Sequence, residues 1–121
     1  MPVYIYNQTG EASLRIFGKG LLVNMNGEHI GFIDTDSVYD YNGTHRGWFE
    51  GGVLRDHYGR VVGFVPGATD ALHPLFPLPR LAPLPALPRL APLKPLKSLK
   101  PLKPLKSLGW SKFDPILLFA L

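Results

Sequence analysis

The chain has 121 residues, no cysteine, and thirteen Lys and Arg against nine Asp and Glu. That length suggests one domain, and the missing cysteines exclude disulfides and thiolate zinc sites. Residues 1–70 carry five Lys/Arg against eight Asp/Glu and residues 71–121 eight against one, so an acidic segment precedes a basic arm able to dock on its own domain, on anionic lipid or on nucleic acid.

The opening Met1-Pro2-Val3-Tyr4-Ile5-Tyr6 has no basic stretch followed by an apolar run, so no signal peptide is expected. Four copies of one pattern follow. Asx-x-x-Gly recurs at Asn7–Gly10, Asn24–Gly27, Asp40–Gly43 and Asp56–Gly59, spaced by 17, 16 and 16 residues. An aliphatic stands two residues before each Asx: Ile5, Leu22, Val38 and Leu54. Four residues after each Gly come Leu14-Arg15-Ile16, Gly31-Phe32-Ile33, Gly47-Trp48-Phe49 and Gly63-Phe64-Val65. Asx accepts hydrogen bonds from a turn backbone and Gly takes positive φ freely, so each motif is a hairpin turn between strands rich in β-branched and aromatic residues.

The turn sets the expected register. Tyr39 faces His45, Val23 faces His29 and Leu54 faces Val62. Further out Phe32 faces Gly20 and Phe64 faces Gly52, the aromatic covering exposed backbone. Gly31, Gly47 and Gly63 mark close backbone approach or a bulge. The aliphatics Ile5, Leu22, Val38 and Leu54 are expected on one face with Phe32, Trp48 and Phe64, and Val23, Tyr39, Ile33, Phe49 and Val65 on the other. Eight strands with short connections predict an all-β, shallow, pseudo-four-fold barrel over residues 1–66, closed so that no edge is exposed. So small a domain is marginal alone, which calls for help from the tail or from oligomerisation.

Residues 67–108 are a low-complexity tail. Eleven of the thirteen prolines lie in the last fifty residues, which forbids a long helix. From Leu72 to Leu108 leucine occupies every third position, thirteen in all. The residue before each Leu is mostly Pro, and the residue after it is Lys at 94, 97, 100, 103 and 106. Polyproline II has three residues per turn, so leucines and lysines form parallel stripes on an arm about 110 Å long. A solvated spacer needs no such stripe, so the leucines are expected to pack on the barrel or on a neighbouring subunit, with membrane-surface attachment as the alternative. Residues 109–121 close the chain with an apolar segment in which Trp110, Phe113 and Phe119 are candidate anchors. Its run Ile116–Leu121 is far shorter than the roughly 20 residues of a membrane span.

No chemistry stands out. His29 and His45 hold equivalent positions in repeats two and three, which suits a metal pair, but no further ligand falls in that register. Asp40 and Asp56 are explained by their turns, and Ser13, Ser37 and Ser111 lack a nucleophile-elbow context. PxxP matches in the tail follow from composition, and a leucine stripe serves no phosphate contact. The expectation is therefore a non-enzymatic protein without catalytic residues, metal or cofactor. Candidate ligand-binding residues are Phe32, Tyr39, Trp48 and Phe64, holding an apolar group at the barrel mouth or on an aromatic face: the chain's own tail, a lipid or a partner. Self-assembly through the leucine-striped tail and peripheral membrane binding are the rival functions. Nucleic acid is disfavoured, and a cytoplasmic site, with or without membrane association, is expected.

The fourfold hairpin, as in Tyr39-Asp40-Tyr41-Asn42-Gly43 through Gly47-Trp48-Phe49, resembles the bacterial 4-fold beta flower family, as do the Pro/Leu tail and the closing Gly109-Trp110-Ser111. The first copy departs, with Leu14-Arg15 where the others have Gly-aromatic. The resemblance implies a small four-fold barrel and no established activity. A distant likeness to tubby-type barrels points by analogy to an apolar partner.

Overall fold

The computed structural model describes residues 2–120. Met1 and Leu121, the outermost residues of the predicted barrel and anchor segments, lie outside the described residues. Eight strands follow in order: β1 (Val3–Tyr6), β2 (Ala12–Phe17), β3 (Leu21–Asn24), β4 (His29–Asp34), β5 (Ser37–Asp40), β6 (His45–Glu50), β7 (Val53–Arg55) and β8 (Val61–Phe64). Each pairs antiparallel with the next, and Tyr6 opposite Phe64 closes the barrel.

The four turns are built alike. The Asx side-chain oxygen accepts from the backbone N–H two and four residues on: Thr9 and Glu11 on Asn7, Asn26 and Glu28 on Asn24, Asn42 and Thr44 on Asp40, Tyr58 and Arg60 on Asp56. The turn glycines all have φ between +78° and +88°, where a side chain is strained.

Tyr39 faces His45 and Val23 faces His29, as the turn dictates. One step further the register slips in every hairpin, between Ile5/Tyr6, Leu22/Val23, Val38/Tyr39 and Leu54/Arg55. The returning strand thus carries one extra residue, Ser13, Ile30, Arg46 or Val62. The bulge corrects three expected pairs. Leu54 lies opposite Gly63 rather than Val62, Phe32 opposite Leu21 rather than Gly20, and Phe64 opposite Val53 rather than Gly52.

A one-residue slip moves every later side chain to the other face. Ile16, Ile33, Phe49 and Val65 therefore join Ile5, Leu14, Leu22, Val38 and Leu54 in the interior. Phe32 stacks instead on Tyr39, and Phe64 lies among Tyr6, Phe76 and Trp110 on the outside. The expected grouping of these aromatics with the aliphatics is thus overturned. Strands converge where the glycines follow the bulges. A Cβ at Gly31 would overlap the Tyr39 carbonyl and Phe119 ring, and one at Gly47 the Arg55 carbonyl. In the first copy Leu14 fills that place and is wholly buried, while Arg15 turns outward and donates to the Asn24 carbonyl at 2.8 Å.

The interior is completed by a short helix, α1 (Pro115–Phe119). Asp114 caps it by accepting from the Leu117 amide at 2.8 Å, and Pro115 suits its first position. Leu118 is 2% exposed within the barrel's core cluster, and Phe119 packs against the same cluster.

Candidate binding surface

Between barrel and helix, residues 72–108 run without helix or strand around the outside of the four hairpins. The contacts recur every nine residues. The amides of Arg80, Arg89, Ser98 and Ser107 donate to the carbonyls of the turn glycines Gly10, Gly27, Gly43 and Gly59 at 2.7, 2.8, 2.7 and 3.0 Å. A Cβ at those same glycines would overlap the carbonyl oxygens of Leu78, Leu87, Leu96 and Leu105. One nine-residue unit thus serves one hairpin. At about 3.1 Å per residue this is roughly 28 Å per hairpin, the arc of a ring about 18 Å in radius. Proline donates no hydrogen bond, and the four donor sites are occupied by Arg, Arg, Ser and Ser at positions that elsewhere along the repeat are mostly Pro. Ala86, the other non-Pro residue before a leucine within this stretch, donates to the Met25 carbonyl at 2.9 Å.

Charge holds the belt as well. Lys97 pairs with Asp34, Lys103 with Asp36 at 2.6 Å and Glu50 at 2.7 Å, and Lys106 with Asp70. The Lys103 hydrogen bond keeps the Asp36 carboxyl below the ordinary range, and the Lys97 hydrogen bond does the same for Asp34. Lys94 lies 5.2 Å over the Phe32 ring. These pairs are part-exposed, and each contributes little. Arg55 is different. It is 4% exposed and donates to Asp70, to the carbonyls of Gly59 (2.7 Å) and Ser107 (2.9 Å), and to that of Leu72. One guanidinium thereby ties the beginning and the end of the belt to the fourth turn.

The four predicted ligand-binding aromatics are all buried: Phe32, Tyr39, Trp48 and Phe64 are 1–4% exposed on the outer wall. Phe76 stacks on Phe64 at 4.3 Å, and Lys94 and Lys97 cover Phe32 and Tyr39. Trp110 bridges to Val61 as an isolated parallel pair and packs on Phe64 and Phe76. Phe113 is half-buried and Phe119 sits over Gly31. Leu118, the deepest of this segment, was missed in favour of the aromatics; its signal was Asp114-Pro115, a helix start three residues earlier.

The leucine stripe does not pack on the chain's own barrel, the first of the places expected for it. Eleven leucines from Leu75 to Leu105 are each 88–99% exposed. The belt turns its amide donors and lysines to the barrel, and period three then leaves the leucines outward.

The titratable groups are absorbed into structure. His29 Nε2 lies 2.8 Å from the Arg89 carbonyl oxygen. His45 does not meet His29; its Nδ1 is 2.9 Å from His57 Nε2 and its Nε2 3.2 Å from Ser37 Oγ. Burial, then the neighbouring His57, depresses His45 to about 4. Ser37 is wholly buried, and a histidine titrating that low is a weak base at neutral pH. Among the described residues no cluster of three metal-ligating side chains occurs, and no helix is long and apolar enough to cross a membrane.

The fold is thus a closed barrel of four like hairpins, girdled by its own proline-rich tail. The chain belongs to the 4-fold beta flower family, whose model matches residues 3–118. Comparisons with curated proteins and with solved structures returned no match.

Proposed function

We propose that this protein is a non-enzymatic binding module that displays a rigid leucine ring to an apolar partner. One observation carries the reading: eleven almost fully exposed leucines stand on a backbone pinned to every hairpin. At 25 cal/mol per Å² and 1.5–3 kcal/mol per leucine, each side chain offers about 60–120 Å², or on the order of 1,000 Å² together. Monomeric proteins rarely expose apolar patches beyond about 300–600 Å². The aromatic wall and the barrel interior seat the chain's own belt and helix, so the ring is the longest run of exposed apolar side chains.

Uncharged detergent micelles supply a neutral apolar phase for the test. The full chain should co-migrate with micelles in gel filtration, and a Leu84→Ser/Leu87→Ser/Leu90→Ser variant should elute largely free with an unchanged melting temperature. Equal behaviour of the two would refute the reading.

A further inference from the structure

We infer that the ring's occupant is an anionic lipid surface, with the leucines among acyl chains and headgroup phosphate held beside Lys19 and Lys94. This deepens the binding-module reading and rests on it. Two observations select lipid. The first is the form of the ring: leucines about 9.3 Å apart along one outward stripe of a curved belt, eleven of them 88–99% exposed. A row of outward leucines on a curved belt suits fluid acyl chains, which conform to it. The second is charge. The chain carries a formal net charge of +4. Beside Leu93 and Leu96 lies an open hollow of about 370 Å³ lined by Lys19, Phe32, Thr35, Lys94 and Lys97, with Asp34. Asp34 is already taken by Lys97, while Lys19 is exposed at the rim and Lys94 rests over Phe32. Two cations next to an apolar edge suit a phosphate at the depth where headgroups meet acyl chains.

The experiment uses the full chain and extruded vesicles of phosphatidylglycerol and phosphatidylcholine, with pure phosphatidylcholine vesicles beside them. The expected result is partition into the anionic vesicles that weakens at 0.5 M salt. Lys19→Glu should reduce it roughly tenfold, and Leu84→Ser/Leu87→Ser/Leu90→Ser about a hundredfold or more. Both changes fall on exposed side chains, so melting curves should match the parent. Anionic-vesicle binding untouched by the leucine change would overturn the inference, because it would be charge attraction alone. Absence of vesicle binding together with a leucine-dependent oligomer in solution mass would also overturn it. That outcome would leave the binding-module reading standing with a second copy as partner. A chain that binds neither vesicles nor micelles, and stays monomeric, would remove both.

Discussion

Replacing Ser98 by Pro tests whether the nine-residue repeat holds the belt. The Ser98 amide donates to the carbonyl of buried Gly43 at 2.7 Å, and its Oγ accepts from the His45 amide at 3.1 Å. Ser98→Pro removes both partners and keeps the dihedral an extended chain prefers. Each orphaned group costs about 1–3 kcal/mol, so a loss of about 2–6 kcal/mol is expected, or on the order of 10 °C or more in melting temperature. Ala91→Pro is the control: Ala91 lies in the same belt, and its amide donates to none of the described residues. It should be neutral or gain a few tenths of a kcal/mol through a stiffer unfolded chain. Thermal and denaturant unfolding, with hydrogen exchange at the third hairpin, measure the difference. If both prolines shift the midpoint alike, the turn-glycine stations do not hold the belt, and the register argument fails.

Three further outcomes follow from the same geometry. His45 titrates near 4 when folded and near 6.5 when unfolded, so the unfolded chain takes the proton first. Stability should fall by roughly 2–3 kcal/mol as pH drops from about 6.5 to 4, with no further loss from this group below that; denaturant midpoints at pH 7.5, 6 and 5 would show it, and His45→Gln should flatten the slope. Arg55→Ala leaves Asp70 and three carbonyls without their shared donor and should cost about 3–5 kcal/mol, whereas Lys103→Gln, at a part-exposed pair, should cost under about 1 kcal/mol; chemical denaturation of the two would refute the ranking if they agree. Leu118→Ala should cost about 2–5 kcal/mol and speed exchange of the interior strand amides if α1 is part of the core.

Much of the barrel is legible because its determinants are local. An Asx oxygen and a positive-φ glycine fix a turn within five residues, and four such turns in register predict eight strands. The candidate surface is less legible. Phe32, Tyr39, Trp48 and Phe64 stand out as an aromatic group in the sequence, yet the chain covers them itself. The leucines that it leaves open are the residues that hydrophobicity alone would bury. The donor positions 80, 89, 98 and 107 are gaps in the proline pattern, but so is 86, and the nine-residue spacing has meaning only beside hairpins one such unit apart.

By itself, the sequence determined the four turns, the number of strands, the period of the tail and the opposite charges of its two parts. Each follows from interactions between residues close in the chain. Only the tertiary structure decided which faces point inward, because a single bulged residue at Ser13, Ile30, Arg46 or Val62 reverses all alternation beyond it. It also decided the direction of the leucines. A chain with three residues per turn has three equivalent stripes, and the turn-glycine carbonyls and the acidic residues of the barrel select which of them faces in. The leucines are outside because hydrogen bonds and charge, rather than apolar burial, orient the belt.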